Sequence, residues 1–312
     1  MYSTRQFVKG LKLTVTDRNL LLREANRLYH TRLGRRSYNP DGVDVMDEDW
    51  DFLIVLDACR YDMFEEQHTL PGHLQRRTSR GSHTSEFITG NFHGRSFPDT
   101  TYVTASPILH RGQGDLYETS FHDIVNVWAE DGWDDEDRTV LPETMADYAL
   151  EAADAYPNKR LVIHFMQPHY PFIGSDVLDD VTVPDPSVNE GDIWAKLMTG
   201  EEHVPETEIW RAYRDNLDHA MPALERLLDE LSGKVVVTAD HGNMIGERAA
   251  PIPVAEWGHP PRIHTPELLE VPWLEYDAGP RRDVRVGQSG SERESVEESV
   301  VTDRLRQLGY AE

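Results

Sequence analysis

Residues 234–242 read KVVVTADHG, an apolar β-branched run that ends at once in an aspartate and a histidine. Two other stretches are built alike. FLIVLD (52–57) closes its apolar run on Asp57, and LVIHFM (161–166) runs straight into QPHYPF, which carries His169. Short continuous apolar runs bounded by polar residues are what strands covered on both faces require. TYVTA (101–105) and VPWL (271–274) read as further strands, while 142–156 and 206–231 carry helical spacing. Strand–helix alternation from Asp51 onward predicts an α/β fold. Its central sheet should be mainly parallel, with helices on both faces and right-handed crossovers. In such sheets functional groups collect where loops leave the carboxyl ends of strands. An aspartate after a strand is often only a helix cap, and a lone histidine is often structural. Asp57, Asp240, His241 and His169 at three such ends are hard to explain as caps.

The 312 residues are long enough to bury a large core, and at 38% hydrophobic the chain has no apolar run of membrane-spanning length. Its aromatic content argues against disorder. The single cysteine, Cys59, excludes an internal disulfide and a thiolate zinc cluster. The balance of 56 acidic against 31 basic residues gives −25, and only five of the basic residues are lysines. Carboxylate-rich surfaces with arginine in place of lysine suit high salt, so a halophile's cytosolic protein is expected, with an acidic mesophilic protein as the alternative. The same charge disfavours nucleic acid as a partner.

Three segments are expected: a basic amphipathic arm over 1–40, a catalytic domain over 41–277, and a linker with a short closing helix over 278–312. The arm holds nine basic residues against Asp17 and Glu24, or +7, so the other 272 residues carry −32. Thr16 or Asp17 would cap its helix, and Leu20, Leu21, Ala25, Leu28 and Leu33 recur at helical spacing. Such a helix can make peripheral contact with an anionic membrane or pack on its own acidic body. No apolar leader follows the first residues, and the acidic stretch after Arg35-Arg36 does not fit a twin-arginine signal. A cytoplasmic location, with the inner membrane face as a docking surface, is the expectation. The stretch 173–205 looks like an insertion or lid. The tryptophans Trp194, Trp210, Trp257 and Trp273 are expected to pack, and the oligomeric state is left open.

VVVTADHGNMIGE, LIVLDACRYD and HFMQPHYPF together resemble the alkaline phosphatase superfamily, within it the sulfatase-like branch in a haloarchaeal-type form. That branch also includes lipoteichoic acid synthases, phosphoethanolamine transferases and nucleotide phosphodiesterases. The likeness runs from about Asp51 to about Asp277 and keeps the order aspartate, hydroxyl nucleophile, His-x-Pro-type segment, Asp-His-Gly, histidine. It implies a metal-dependent hydrolase or phosphotransferase acting on small-molecule or lipid-linked phosphate or sulfate esters. By that resemblance Asp57, Asp240 and His241 hold one or two divalent cations, zinc, manganese, calcium or magnesium. His169 and His259, the latter in WGHPP, would face the substrate's oxyanion or leaving group, or ligate a second metal.

The resemblance also implies a hydroxyl nucleophile where TSRGSHTSEFITG turns into a helix, so that helix N–H groups receive the oxyanion. Gly81 permits the turn. Ser82 is the first choice, with Thr84 and Ser79 the runners-up. The branch's formylglycine chemistry needs a cysteine in Cys-x-Pro-x-Arg, whereas Cys59 lies in CRYDM directly after the first aspartate. That favours phosphoryl transfer through a Ser/Thr ester. The alternatives are a sulfuric ester hydrolase without formylglycine and a non-catalytic membrane-surface or assembly protein keeping the fold. Arg60 and Arg80 are candidates to clamp substrate oxygens, or solvated ion pairs.

Overall fold

The computed structural model describes residues 18–114, 116–129, 131–178, 193–287 and 296–310. In chain order the elements are α1 (Arg18–His30), β1 (Phe52–Asp57), α2 (Tyr61–Gln67), β2 (His73–Thr78), α3 (Thr84–Asn91), β3 (Ser96–Thr104), α4 (Ile108–Gly112) and β4 (Ser120–Asn126). There follow β5 (Trp133–Asp134), β6 (Thr139–Val140), α5 (Pro142–Ala155), β7 (Arg160–Pro168), α6 (Ile193–Thr199) and α7 (Glu206–Glu230). The chain continues through β8 (Lys234–Ala239), β9 (Met244–Arg248), β10 (Ala255–Gly258), α8 (Pro266–Leu269), β11 (Glu270–Asp277) and α9 (Glu298–Gln307).

Seven strands make the central sheet in the order β2-β11-β8-β1-β7-β3-β4. The strands β8, β1, β7, β3 and β4 are parallel. The α/β architecture with a mainly parallel sheet is as the apolar runs predict. β11 departs from it, running antiparallel to both β8 and β2. The edge strand β2, HLQRRT, carries no apolar run and escapes a search for one, because only its pairing with β11 makes it a strand.

β1 is buried at every residue, and the side chains of β7 after Arg160 are buried too. α5 and α7 pack on each other and on β7. Cys59 is a buried free thiol at the end of β1. The packing places the ends of β1, β7 and β8 side by side, since Asp57 pairs in register with Pro168 and Leu56 with Ala239. No helix among the described residues is long and apolar enough to cross a membrane.

Of the basic arm, residues 1–17 lie outside the described residues, and with them both candidate caps, Thr16 and Asp17, and part of the arm's charge. The rest of its helix, α1, lies against the body. Asn26 exchanges two hydrogen bonds of 2.9 Å with the backbone of Ile252, and the Arg23 Nε donates to Glu256 at 2.6 Å. Leu20 and Leu22 sit on a small cluster of Met198, Met244, Ala249, Val254, Ile263 and Leu268. Leu21, Leu28, Tyr29 and Leu33 face outward. Within 173–205, residues 179–192 lie outside the described residues, and α6 follows them.

Candidate active site

Two strand ends deliver the acidic heart of the site. Asp57 is the last residue of β1 and Asp240 the first after β8, both without solvent exposure. At Ala58 the backbone turns into the left-handed region (φ 59°), which a non-glycine residue adopts at some cost and mostly at functional turns. That turn aims the Ala58 N–H at Asp240 Oδ1, 3.0 Å away, and the His241 N–H reaches the same oxygen at 2.8 Å. Gly242 completes the triplet for a packing reason. A Cβ there would stand 2.0 Å from the Glu267 carbonyl oxygen, so only glycine lets the two backbones approach.

Asp57, Asp240 and His164 converge, with one donor atom from each lying within 4.8 Å of the others. Asp57 Oδ1, Asp240 Oδ2 and His164 Nε2 are buried and have no hydrogen-bond partner. Buried polar atoms are normally paired, and three unpaired atoms of carboxylate and imidazole groups this close together fit a cation. His164 is a ligand candidate that the sequence analysis missed. It sits in mid-strand within LVIHFM, and the one signal was an imidazole inside an otherwise apolar run. Tyr102 Oη lies 2.6 Å from His164 Nδ1, orienting the ring so that Nε2 points at the carboxylates.

His241 Nδ1 lies 2.8 Å from the Gly242 carbonyl and so donates to it, which leaves its Nε2 as an acceptor. That Nε2 is 3.3 Å from Asp240 Oδ2 and 3.5 Å from Asp57 Oδ1. Asp57, Asp240 and His241 therefore come together as the sequence suggests, with His164 beside them. Burial, reinforced by the charge of Asp240, pushes the Asp57 carboxyl well above its usual range, and burial raises Asp240 to about 6. Burial lowers His164 and His241 to about 4. Neutral imidazoles beside carboxylates that resist ionisation are what a cation would reverse and exploit.

The hydroxyl that meets this centre is Thr84. It opens α3, and its Oγ1 lies 3.3 Å from Asp57 Oδ2 and 3.2 Å from His241 Nε2. Ser82, the first choice from the sequence, faces elsewhere, donating to Glu86 Oε2 at 3.0 Å and approaching the Pro260 carbonyl at 3.3 Å. Ser79 donates to the Asp240 carbonyl. The segment runs Gly81-Ser82-His83-Thr84, and a tight turn at Gly81 rotates Ser82 away before the helix begins. A Cβ on Gly81 would lie 2.4 Å from the Phe87 nitrogen. His83 caps α3, its ring accepting from the Ser85 N–H at 3.1 Å.

A second layer of rings covers Thr84. His169 Nε2 and His259 Nε2 are 3.3 Å apart, and the His259 ring stacks on His241 at 4.8 Å. His169 Nδ1 is held by the Tyr170 carbonyl. Burial lowers His169 to about 3, and burial with neighbouring imidazoles takes His259 well below its usual value. Tyr310, in the tail after α9, donates to Asp57 Oδ2 at 3.2 Å and lies 3.3 Å from Thr84 Oγ1. Nothing in the sequence pointed to it. Among the described residues, one group of three carboxylate and imidazole side chains lies close enough to hold an ion. A cavity of about 290 Å³ opens beside these rings, lined in part by His83, His259 and Tyr310.

Arg60 is committed to Asp62 and Glu247 and lies over the Trp210 ring, and Arg80 is committed to Asp44. Both are thus engaged in ion pairs, one of the two alternatives that the sequence left open. Trp194 and Trp273 are buried, as expected.

No protein-family model matches this sequence, and no curated protein matches it. Solved structures with a similar chain path include the soluble domain of lipooligosaccharide phosphoethanolamine transferase A from Neisseria meningitidis, at 10% identity and TM-score 0.43 over 78% of this chain and 83% of that one. Another is the C-terminal periplasmic domain of EcEptC from Escherichia coli in complex with Zn, at 12% identity and TM-score 0.43 over 76% and 75%. A third is BT1596, a 2-O GAG sulfatase, at 14% identity and TM-score 0.42 over 73% and 64%. These are remote likenesses.

Proposed function

We propose that the chain is a metal-dependent enzyme that transfers or hydrolyses phosphate esters, with Thr84 as its nucleophile. The observation that carries this is the Thr84 hydroxyl, buried at a helix N-terminus against Asp57 and His241, beside three unpaired carboxylate and imidazole atoms. Asp57, Asp240, His164 and His241 would hold a divalent cation, and mixed oxygen and nitrogen donors suit zinc or manganese best. A cation held there supplies positive charge that eases ionisation of the hydroxyl and polarises the ester.

The rest is done by the chain's own groups. Asp57 Oδ2 accepts the Thr84 proton while Oγ1 attacks phosphorus. The bond from phosphorus to the leaving oxygen breaks beside His169 and His259, and that oxygen takes up a proton from solvent. The positive end of α3 faces the charge that accumulates on the phosphoryl oxygens. Water or an acceptor alcohol then cleaves the Thr84 phosphoester, giving hydrolysis or transfer. Cys59, buried behind Asp57, leaves formylglycine chemistry without a residue.

The test is the metal content of the purified protein with turnover of p-nitrophenyl phosphate, its bis-ester and p-nitrophenyl sulfate, before and after chelation. Metal-dependent cleavage of a phosphate ester that Thr84→Ala abolishes is expected. Full activity in Thr84→Ala, or preference for the sulfate, would overturn the reading. For the arm, we assign membrane contact to the outward face of α1 and the turn that follows it, formed by Leu21, Leu28, Tyr29 and Leu33, each at least half exposed. Vesicle flotation of the full chain should weaken on Leu21→Ser with Leu28→Ser, and equal flotation would remove the membrane assignment.

A further inference from the structure

The cavity beside the site is lined by three arginines, Arg23, Arg27 and Arg111, and by no carboxylate among the described residues. This is unexpected in a chain of net charge −25. It shares His83, His259 and Tyr310 with the site, so anything in it touches the rings over Thr84. Two of the arginines come from α1 and one from α4.

Their settings differ in a useful way. Arg23 is buried and fixed by Glu256 at 2.6 Å. Arg27 donates through Nε to the Pro261 carbonyl at 3.1 Å and pairs with Glu24 on its own helix. Arg111 is exposed, and no carboxylate among the described residues lies in ion-pair range of it. The rest of the wall includes Ile108, Leu116, Trp194 and Leu305. The cavity thus combines an apolar wall with planar guanidinium donors, the groups best matched to carboxylate and phosphate oxygens. A phosphoryl group at Thr84 needs none of them, because the metal centre and α3 already face it.

We infer that this cavity binds a second anionic group on the substrate, joined to the reacting phosphate through an apolar body, with Arg111 and Arg27 as its recognition residues. The inference rests on the phosphate-ester reading above and narrows it to doubly anionic esters. It also gives the basic arm a role at the site: α1 carries two of the three cations to the cavity wall.

Binding of unreactive phosphonates to the metal-loaded full chain tests this by calorimetry. Benzylphosphonate supplies one anion, while (4-carboxybenzyl)phosphonate and p-xylylenediphosphonate add a second of either chemistry. At least one doubly anionic compound should bind tighter by about tenfold to a hundredfold, the range for hydrogen bonds to charged groups. Preference for one of the two identifies the second group as carboxylate or phosphate. Arg111→Gln should erase most of the preference and Arg111→Lys keep part of it; Arg111 is exposed, so these variants keep the fold, and Arg27→Gln is the second probe. Equal affinity for all three compounds, or a preference that survives Arg111→Gln and Arg27→Gln, overturns the inference. Ester turnover, measured separately, distinguishes the two failures: turnover without preference removes the anion cavity alone, and preference without turnover removes the catalytic reading alone.

Discussion

The proposed nucleophile, Thr84, has its hydroxyl 3.2 Å from an imidazole nitrogen and 3.3 Å from a buried carboxylate, whereas that of Ser82 donates to Glu86. Thr84→Ala should therefore lower turnover by several orders of magnitude with metal content intact, Thr84→Ser should retain much of it, and Ser82→Ala should cost far less. Steady-state rates with metal analysis on each variant check this. The sequence pointed to one loop carrying the hydroxyls Ser79, Ser82 and Thr84 but could not separate them, because the register of a turn of a few residues decides which one faces Asp57 and His241. Gly242 is a contrasting case, where the residue type itself carries the geometry. Gly242→Ala drives a methyl into the Glu267 carbonyl and should destabilise the fold by about 1–3 kcal/mol or more, read by denaturant unfolding.

At the level of elements, the apolar runs that announce β1 and β8 also announce the candidate site, since Asp57 closes one and Asp240 and His241 follow the other, whereas His164 is hidden inside β7. The edge strands β2 and β4 depend on partners for their identity and carried no such signal. Helix α1 shows the same limit. Its spacing was legible, but the face that would be buried was not, because Arg23 and Asn26 are the buried residues and Leu21 and Leu28 are exposed. A buried arginine–carboxylate pair explains that inversion. Removing one partner strands the other charge, so Arg23→Ala should cost about 3–5 kcal/mol, whereas replacing both with apolar residues of similar volume, Arg23→Met with Glu256→Leu, should recover most of it. Thermal unfolding of the single and double variants measures the difference.

Across the whole molecule, the site draws on groups far apart in the chain, from α1 near one end to Tyr310 near the other, and this convergence was beyond reach of the sequence. It also ties stability to metal and pH. In the metal-free fold, Asp57 and Asp240 bind protons more tightly than in the unfolded chain, so alone they favour the fold as pH falls from about 6 toward the usual carboxylate range. The buried histidines His164, His169, His241 and His259 act oppositely. Their lowered values mean the unfolded chain takes up protons first, and their contribution is lost as pH falls below the usual imidazole range toward 4 and 3. Below the usual carboxylate range the carboxylate contribution is complete, while these histidines and His83 still take up protons only on unfolding, so the metal-free protein should lose stability from there toward pH 3. A bound cation requires both carboxylates ionised, so binding releases protons and weakens as pH drops through about 6. Melting curves with and without chelator should then differ most above neutral pH and converge in acid. A metal-induced rise in melting temperature that stayed constant from alkaline to acidic pH would mean that Asp57 and Asp240 are not the ligands.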